Sequence, residues 1–453
     1  MRTILRSSLL FSRRDGSAAY IHDGCIVSDT DGRITFVGPW EQVAPQFGPD
    51  VRVRHLDGAI VIPAMLDLHT HVSQHGIRGR FLEGVEQEGE QGRLVAGLMR
   101  NVFPEEMRCA DPVYAAEVAR GFAADARANG VIGGVAFMTS HPAATAAALE
   151  VLGEAWHVGL VLMDQNCPEG LRTNADTLER DVAELVERFG KRVILADRFA
   201  LSCSSPLRRQ GVELARRYGL RIQTHLNEQV AEKWMVEQTL YPEVGSYAGV
   251  YARDGLLSRN PILAHCVHNR ADELRLLREA GATVAHCPVS NALLGSGIMR
   301  LDKIAEAGIE WCLCTDVGAS PSVSLLVEMS QFLIVHRGRS RRATPAEALY
   351  RTTLAPARVL GLDGELGSFE PGMRLAYLAV EPAEALPATA EADVVIKRCL
   401  LGVGETDYTE QQGVLDALWA GDPVDGTDLQ RLLRAVEAKA GDVQNRIRQV
   451  GGI

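Results

Sequence analysis

Gly58-Ala59-Ile60-Val61-Ile62-Pro63 is followed, after Ala64 and Met65, by Leu66-Asp67-Leu68-His69-Thr70-His71-Val72-Ser73-Gln74. On an extended strand alternate side chains share a face, so His69 and His71 point the same way. At the C-terminal mouth of a barrel strand such a pair holds one metal ion from one side. Alone, a His-x-His in an apolar strand is more often a chance or core pair. The distant parts of the chain decide between these readings.

The chain has 453 residues, too many for one small core, which predicts a barrel with additions or several domains. Its hydrophobic share of 46% and charged share of 23% fit a globular enzyme. A net charge of -11 argues against nucleic acid as a main partner, since phosphate binding needs a basic surface, but leaves a single nucleobase open as substrate. The nine cysteines form no Cys-x-x-Cys pair, which predicts reduced thiols in a cytoplasmic protein and no thiolate metal knuckle. Cys287, Cys312 and Cys314 read as small apolar core residues. The first residues lack the cleavage site of a signal peptide, and no apolar run reaches transmembrane length, so no membrane partner is expected.

Residues 1–62 alternate in short segments broken by Asp-Gly pairs at 15, 23, 31 and 57, which reads as a small sheet with turns. From 63 to 367 buried-type strands alternate with amphipathic helices. After the His69-x-His71 segment, strands are predicted at 131–139, 158–164, 193–201, 220–226, 261–266, 282–287 and 310–316, with helices such as 207–218 and 271–280 between them. This predicts an α/β fold, a (β/α)8 TIM-like barrel. A doubly wound sheet is disfavoured because no glycine-rich dinucleotide fingerprint follows the first strand. Residues 368–453 contain a strand at 375–380 that can rejoin the N-terminal sheet as a composite β-sandwich domain. An amphipathic helix is predicted from about 425.

The strand ends collect polar residues: His69 and His71, Arg198, His225 with Glu228, His265, His286 and Asp316. In a barrel these ends converge on one pocket. Three neutral imidazoles and one carboxylate, here His69, His71, His225 and Asp316, suit zinc or a similar divalent cation. Glu228 lies just past its strand and suits proton transfer, with His265 as a neighbouring acid/base or oxyanion partner. The fourth strand offers no lysine to bridge two metals, so one ion is expected. His75, His141, His268 and His336 read as ordinary loop or helix histidines, and the acidic run 83–90 as a solvated loop.

Over residues 20–370 these features resemble the amidohydrolase superfamily, and within it the guanine deaminase branch. The likeness rests on 69–74, on Arg198-Phe199-Ala200-Leu201-Ser202-Cys203-Ser204, on Gln223-Thr224-His225-Leu226-Asn227-Glu228, on Leu240-Tyr241-Pro242, on Ala264-His265-Cys266, on His286-Cys287-Pro288-Val289-Ser290-Asn291 and on Thr315-Asp316-Val317. The resemblance implies one zinc ion per subunit, with ferrous iron as the alternative, and a homodimer working in purine catabolism. It implies hydrolytic deamination of guanine to xanthine and ammonia, with Glu228 as proton shuttle, His265 at the substrate, and Gln74, Arg198 and Phe199 holding the ring. The rival readings are the same chemistry on a pterin, 8-oxoguanine or another guanidine-like ring, and a non-catalytic barrel binding protein. The chain departs from the family at Asp197, where a proline is usual, and at Val317-Gly318-Ala319-Ser320, usually Val-Ala-Gly-Gly. Residues 136–141 and 381–453 also diverge. The other zinc route to base deamination needs His-x-Glu with Pro-Cys-x-x-Cys, and neither motif is present.

Overall fold

A computed structural model describes residues 3–46, 53–85, 90–258 and 260–452. Thus 86–89 of the acidic run, and residues 1, 2, 47–52, 259 and 453, lie outside the described residues.

The described residues form fourteen strands: β1 (Thr3–Ser12), β2 (Ala18–Ser28), β3 (Ile34–Pro39), β4 (Val53–Pro63), β5 (Met65–His71), β6 (Val131–Phe137), β7 (Trp156–Leu162), β8 (Val193–Asp197), β9 (Ile222–Leu226), β10 (Ile262–His265), β11 (Thr283–His286), β12 (Glu310–Leu313), β13 (Tyr377–Val380) and β14 (Ile447–Gly451). β5 to β12 form an eight-stranded sheet in sequence order, and every registered pair in it is parallel. The barrel closes past its last strand. Asp316 N donates to His69 O at 2.9 Å, and His71 N donates to Val317 O. This seam sets the segment after β12 against the His-x-His strand.

The helices between strands carry ordinary start and stop signals. Ser205–Tyr218 begins at Ser204, whose Oγ accepts from Leu207 N, and ends at Gly219 in the left-handed region, φ 66°. Its buried face includes Leu207, Leu214 and Ala215 against the barrel. Ala271–Glu279 matches the expected helix as well.

Several barrel strands are shorter than expected. β8, β10, β11 and β12 stop at Asp197, His265, His286 and Leu313. His265, Cys266 and Asp316 have φ of 70°, 52° and 53°, a conformation costly for residues with a Cβ. The extended pattern breaks where the polar side chains must turn into the mouth.

The small domain is one six-stranded sheet, in the order β14-β13-β4-β1-β2-β3. Two of the four Asp-Gly pairs are turns, and two are not. Asp23-Gly24 lies inside β2 and Asp57-Gly58 inside β4, each beside a register shift. In β4, Gly58 takes φ 69°, and Ser7 Oγ donates to the carbonyls of Leu56 (3.0 Å) and Ala59 (2.8 Å). The bulge replaces a turn because a neighbouring side chain satisfies its exposed carbonyls.

Among the described residues of 368–453, the strands that enter this sheet are β13 and β14. Between them, helices Glu405–Ala420 and Gly426–Arg446 pack on the barrel helix Leu325–His336. Leu429, Leu432, Val436 and Val443 are the buried stripe of the last helix. All nine cysteines are buried and free. Among the described residues no helix is long and apolar enough to cross a membrane.

Candidate active site

β5 presents His69 and His71 at its end, and Asp67 anchors their backbone. Asp67 Oδ1 accepts from His69 N (3.1 Å) and Thr315 N (3.3 Å), while Thr315 Oγ1 donates to Oδ2. Burial pushes the Asp67 carboxyl up to about 6. Across the seam, Asp316 Oδ1 lies 3.2 Å from both His69 Nε2 and His71 Nε2, and Ser290 Oγ donates to Asp316 Oδ2. Burial opposes ionisation of Asp316, yet its contacts with His69 and His71 hold the carboxyl well below the usual range.

His225, from β9, completes the convergence. Its Nδ1 is 2.6 Å from the Arg198 carbonyl oxygen. A carbonyl only accepts, so Nδ1 carries the proton and Nε2 keeps a bare lone pair. That lone pair is 3.3 Å from His71 Nε2. Burial drives the His71 imidazole down to about 3 and His225 well below its ordinary value, so both are neutral near pH 7.

Two neutral imidazole nitrogens face each other beside an anionic oxygen, which is a donor set for a divalent cation. His69 Nε2 and His265 Nε2 are buried without a hydrogen-bond partner, as the fit to a cation or reactant requires. Among the described residues, ligand atoms of His69, His225, His265 and Asp316 all lie within 4.8 Å of one another. His71 touches this group through Asp316 and His225, so His265 lies nearer the donor set than its expected neighbouring role implied.

Glu228 lies on the loop after β9. Its Oε1 accepts from Ser296 Oγ at 2.8 Å, and its Oε2 is 3.6 Å from His265 Nε2. Burial, reinforced by Asp316, pushes its carboxyl up to about 8. Glu232 fixes the loop by accepting from Glu228 N and Gln229 N. His265 Nδ1 contacts Asn291 Oδ1 at 2.8 Å.

The cleft over these groups is lined by Gln74, Arg198 and Phe199 as well as by His71, His225, Glu228, His265 and Asp316. Glu106 lies behind it. Arg198 Nη1 donates to both Glu106 oxygens at 2.6 and 2.7 Å, and Gln74 Nε2 donates to Oε1 at 2.9 Å.

Residues 60–397 match the amidohydrolase family. The chain belongs to the amidohydrolase family. It is 32% identical over 375 residues to the guanine deaminase of Escherichia coli (strain K12), covering 80% of this chain and 82% of that protein. The solved structure of E. coli guanine deaminase superposes with a TM-score of 0.77 at 28% identity, over 88% of this chain and 94% of that one. Guanine deaminase from C. acetobutylicum, with guanine bound in its active site, gives a TM-score of 0.75 at 25% identity over 100% and 99% of the two chains.

In this amidohydrolase the departures have local explanations. Asp197 is held by Arg208 Nε (2.8 Å) and Thr224 Oγ1 (2.9 Å), and Arg208 Nη1 also reaches Asp254 (2.8 Å). The side chain thus serves a buried ion cluster behind the β8 end and is absent from the cleft lining. Gly318 is needed for close approach, because a Cβ there would sit 2.8 Å from Gln74 Cβ. Ser320 Oγ contacts Glu328 Oε1 at 3.3 Å.

Other expectations change. His286 turns from the mouth, and its Nε2 lies 3.0 Å from His336 Nε2 in the interior. His336 is therefore a buried partner and not an ordinary helix histidine. His75 pairs with Asp125 at 2.9 Å, and His141 and His268 face the carbonyls of Gly170 (3.0 Å) and Ser296 (2.7 Å). Glu106 and Ser296 carry no spacing that marks them in the sequence, whereas Ser290 and Asn291 stand in the 286–291 motif but without an assigned role.

Proposed function

We propose that this amidohydrolase is a zinc-dependent deaminase converting guanine and water to xanthine and ammonia. The observation that carries the reading is the placement of Arg198 and Gln74 in the same cleft wall as Glu228 and the convergent His/Asp donors. The relatives named guanine deaminase support the choice of ring.

His69, His71, His225 and Asp316 would hold the cation, with His265 beside them. A bound divalent cation supplies a water acidified to a pKa near about 7, a competent nucleophile at neutral pH. Glu228 accepts a proton from the attacking water. It delivers that proton to N3, the ring nitrogen next to C2. It then takes the proton of the hydroxyl added at C2 and passes it to the amino group, so ammonia leaves and the C2 oxygen remains as a carbonyl. His265, unpartnered at Nε2, is positioned to hydrogen-bond the oxygen added at C2. Arg198 donates to the O6/N7 edge, and Gln74 and Phe199 keep the ring in register, where small misplacements cost rate.

The reading includes zinc rather than iron, a homodimer and a cytoplasmic setting. Ammonia release from a panel of guanine, a pterin and 8-oxoguanine tests it, together with metal analysis and light scattering of the purified chain. Guanine turnover is expected to dominate. Preferred turnover of another ring replaces the substrate, and no turnover on any ring overturns the enzyme assignment.

A further inference from the structure

Glu106 lies in the helix Phe103–Arg108 and is fully buried. Among the described residues its charged partner in hydrogen-bond range is Arg198, a bond made twice through Nη1, and its Oε1 also takes the Gln74 amide. A carboxylate beside a guanidinium has acceptors and no donor. The Gln74 amide must therefore turn its nitrogen to Glu106, which leaves Oε1 as the atom offered to a ligand. Arg198 retains Nε and Nη2 as donors. The wall thus presents an acceptor beside a donor fork, and both orientations depend on one residue behind it.

We infer that Glu106 is a specificity-determining positioning residue, which makes the cleft read a ring lactam edge, an N–H next to a C=O. The inference rests on the deaminase reading and deepens it by naming what selects the ring. Guanine has this edge at N1 and C6. 2-Aminopurine keeps the 2-amino group but has a bare N1 and only C–H at position 6. 2,6-Diaminopurine reverses the polarity. A site built to hydrogen-bond a group rejects the analogue lacking it by as much as about 10⁴-fold, because its own polar atoms are left unpaired.

The test separates binding from turnover. In the metal-loaded Glu228→Gln chain, fluorescent 2-aminopurine is titrated and displaced by guanine and by 2,6-diaminopurine, with and without Glu106→Gln. The parent should prefer guanine by at least about 100-fold, and E106Q should collapse that preference to within about 10-fold, since a neutral amide at 106 lets Gln74 turn over. E106D, still acceptor-only, should keep the guanine preference. If E106Q does not fold, Gln74→Met, which removes the acceptor and spares the ion pair, must give the same collapse. A preserved preference in E106Q or Q74M, equal weakening of both rings, or no discrimination by the parent overturns the inference. Ammonia release by the unaltered chain is scored separately. Glu106-dependent discrimination without guanine turnover would sink the proposed reaction and spare this inference.

Discussion

Glu228 shows how burial makes a reactive group from an ordinary carboxyl. Enclosed beside Asp316, its carboxyl rises to about 8, so it can both hold and release a proton near neutrality. Glu228→Gln should keep its metal content and lose about 10²- to 10⁴-fold in turnover, read by elemental analysis beside ammonia release. Wild-type turnover would remove Glu228 from the reaction. Arg198 carries a second prediction, because its partner Glu106 is buried. Arg198→Ala strands that carboxylate and should destabilise the chain by about 3–5 kcal/mol in urea unfolding. Arg198→Ala with Glu106→Leu should recover much of the stability without recovering guanine binding; equal stability of all three chains would contradict the pairing. At this scale the convergence of His69, His71, His225 and Asp316 could be anticipated because strand ends meet in a barrel, whereas the inward turn of His286 to His336 could not. Glu106 was not, since it meets Arg198 across 92 positions and a helical glutamate ordinarily reads as solvated.

Elements position these residues through pairings that a local pattern does not contain. The apolar runs of β6 to β12 could be read in the sequence as strands, and their order follows from the barrel. Their ends could not, because left-handed backbone at His265 and Asp316 depends on what the side chains must reach. Asp23-Gly24 and Asp57-Gly58 carried a turn signal, yet long strands absorbed them as bulges. The pairing of β11 with the helix Leu325–His336 has a consequence for stability. His336 faces His286, Arg339 and Asp302, and burial holds it at about 3 against an ordinary 6.5. Between those values the unfolded chain takes a proton that the folded chain refuses. Its contribution is therefore complete above pH 6.5 and is lost as pH falls toward 3, by about 1.4 kcal/mol per pH unit. His336→Gln, which can keep a hydrogen bond to His286, should flatten the fall of the urea midpoint between pH 6.5 and 4.5. An unchanged slope would contradict the buried neutral state. Arg208, fully buried between Asp197 and Asp254, is the other structural anchor. Arg208→Met should cost about 3–5 kcal/mol by leaving two carboxylates without their cation, and a wild-type urea midpoint would contradict that role.

For the whole molecule, the donors from β5, from β9 and from the segment after β12 meet at the barrel seam, so a bound cation ties together parts of the chain far apart in sequence. Chelation should lower the melting temperature and zinc should restore it, since a ligand bound only to the folded state stabilises it by mass action. The barrel was legible because strand and helix periods alternate over some 300 residues. The C-terminal architecture was less so: β14 is five residues, four half-buried and one exposed, that become a strand only by pairing with β13 across the intervening helices. The central claim is that these converging donors serve hydrolytic loss of the guanine 2-amino group. The most direct test incubates the zinc-loaded chain with guanine and measures xanthine and ammonia together, before and after chelation. Equimolar xanthine and ammonia, abolished by chelation and restored by zinc, is the predicted result; a zinc-loaded, folded chain that releases neither product contradicts the account.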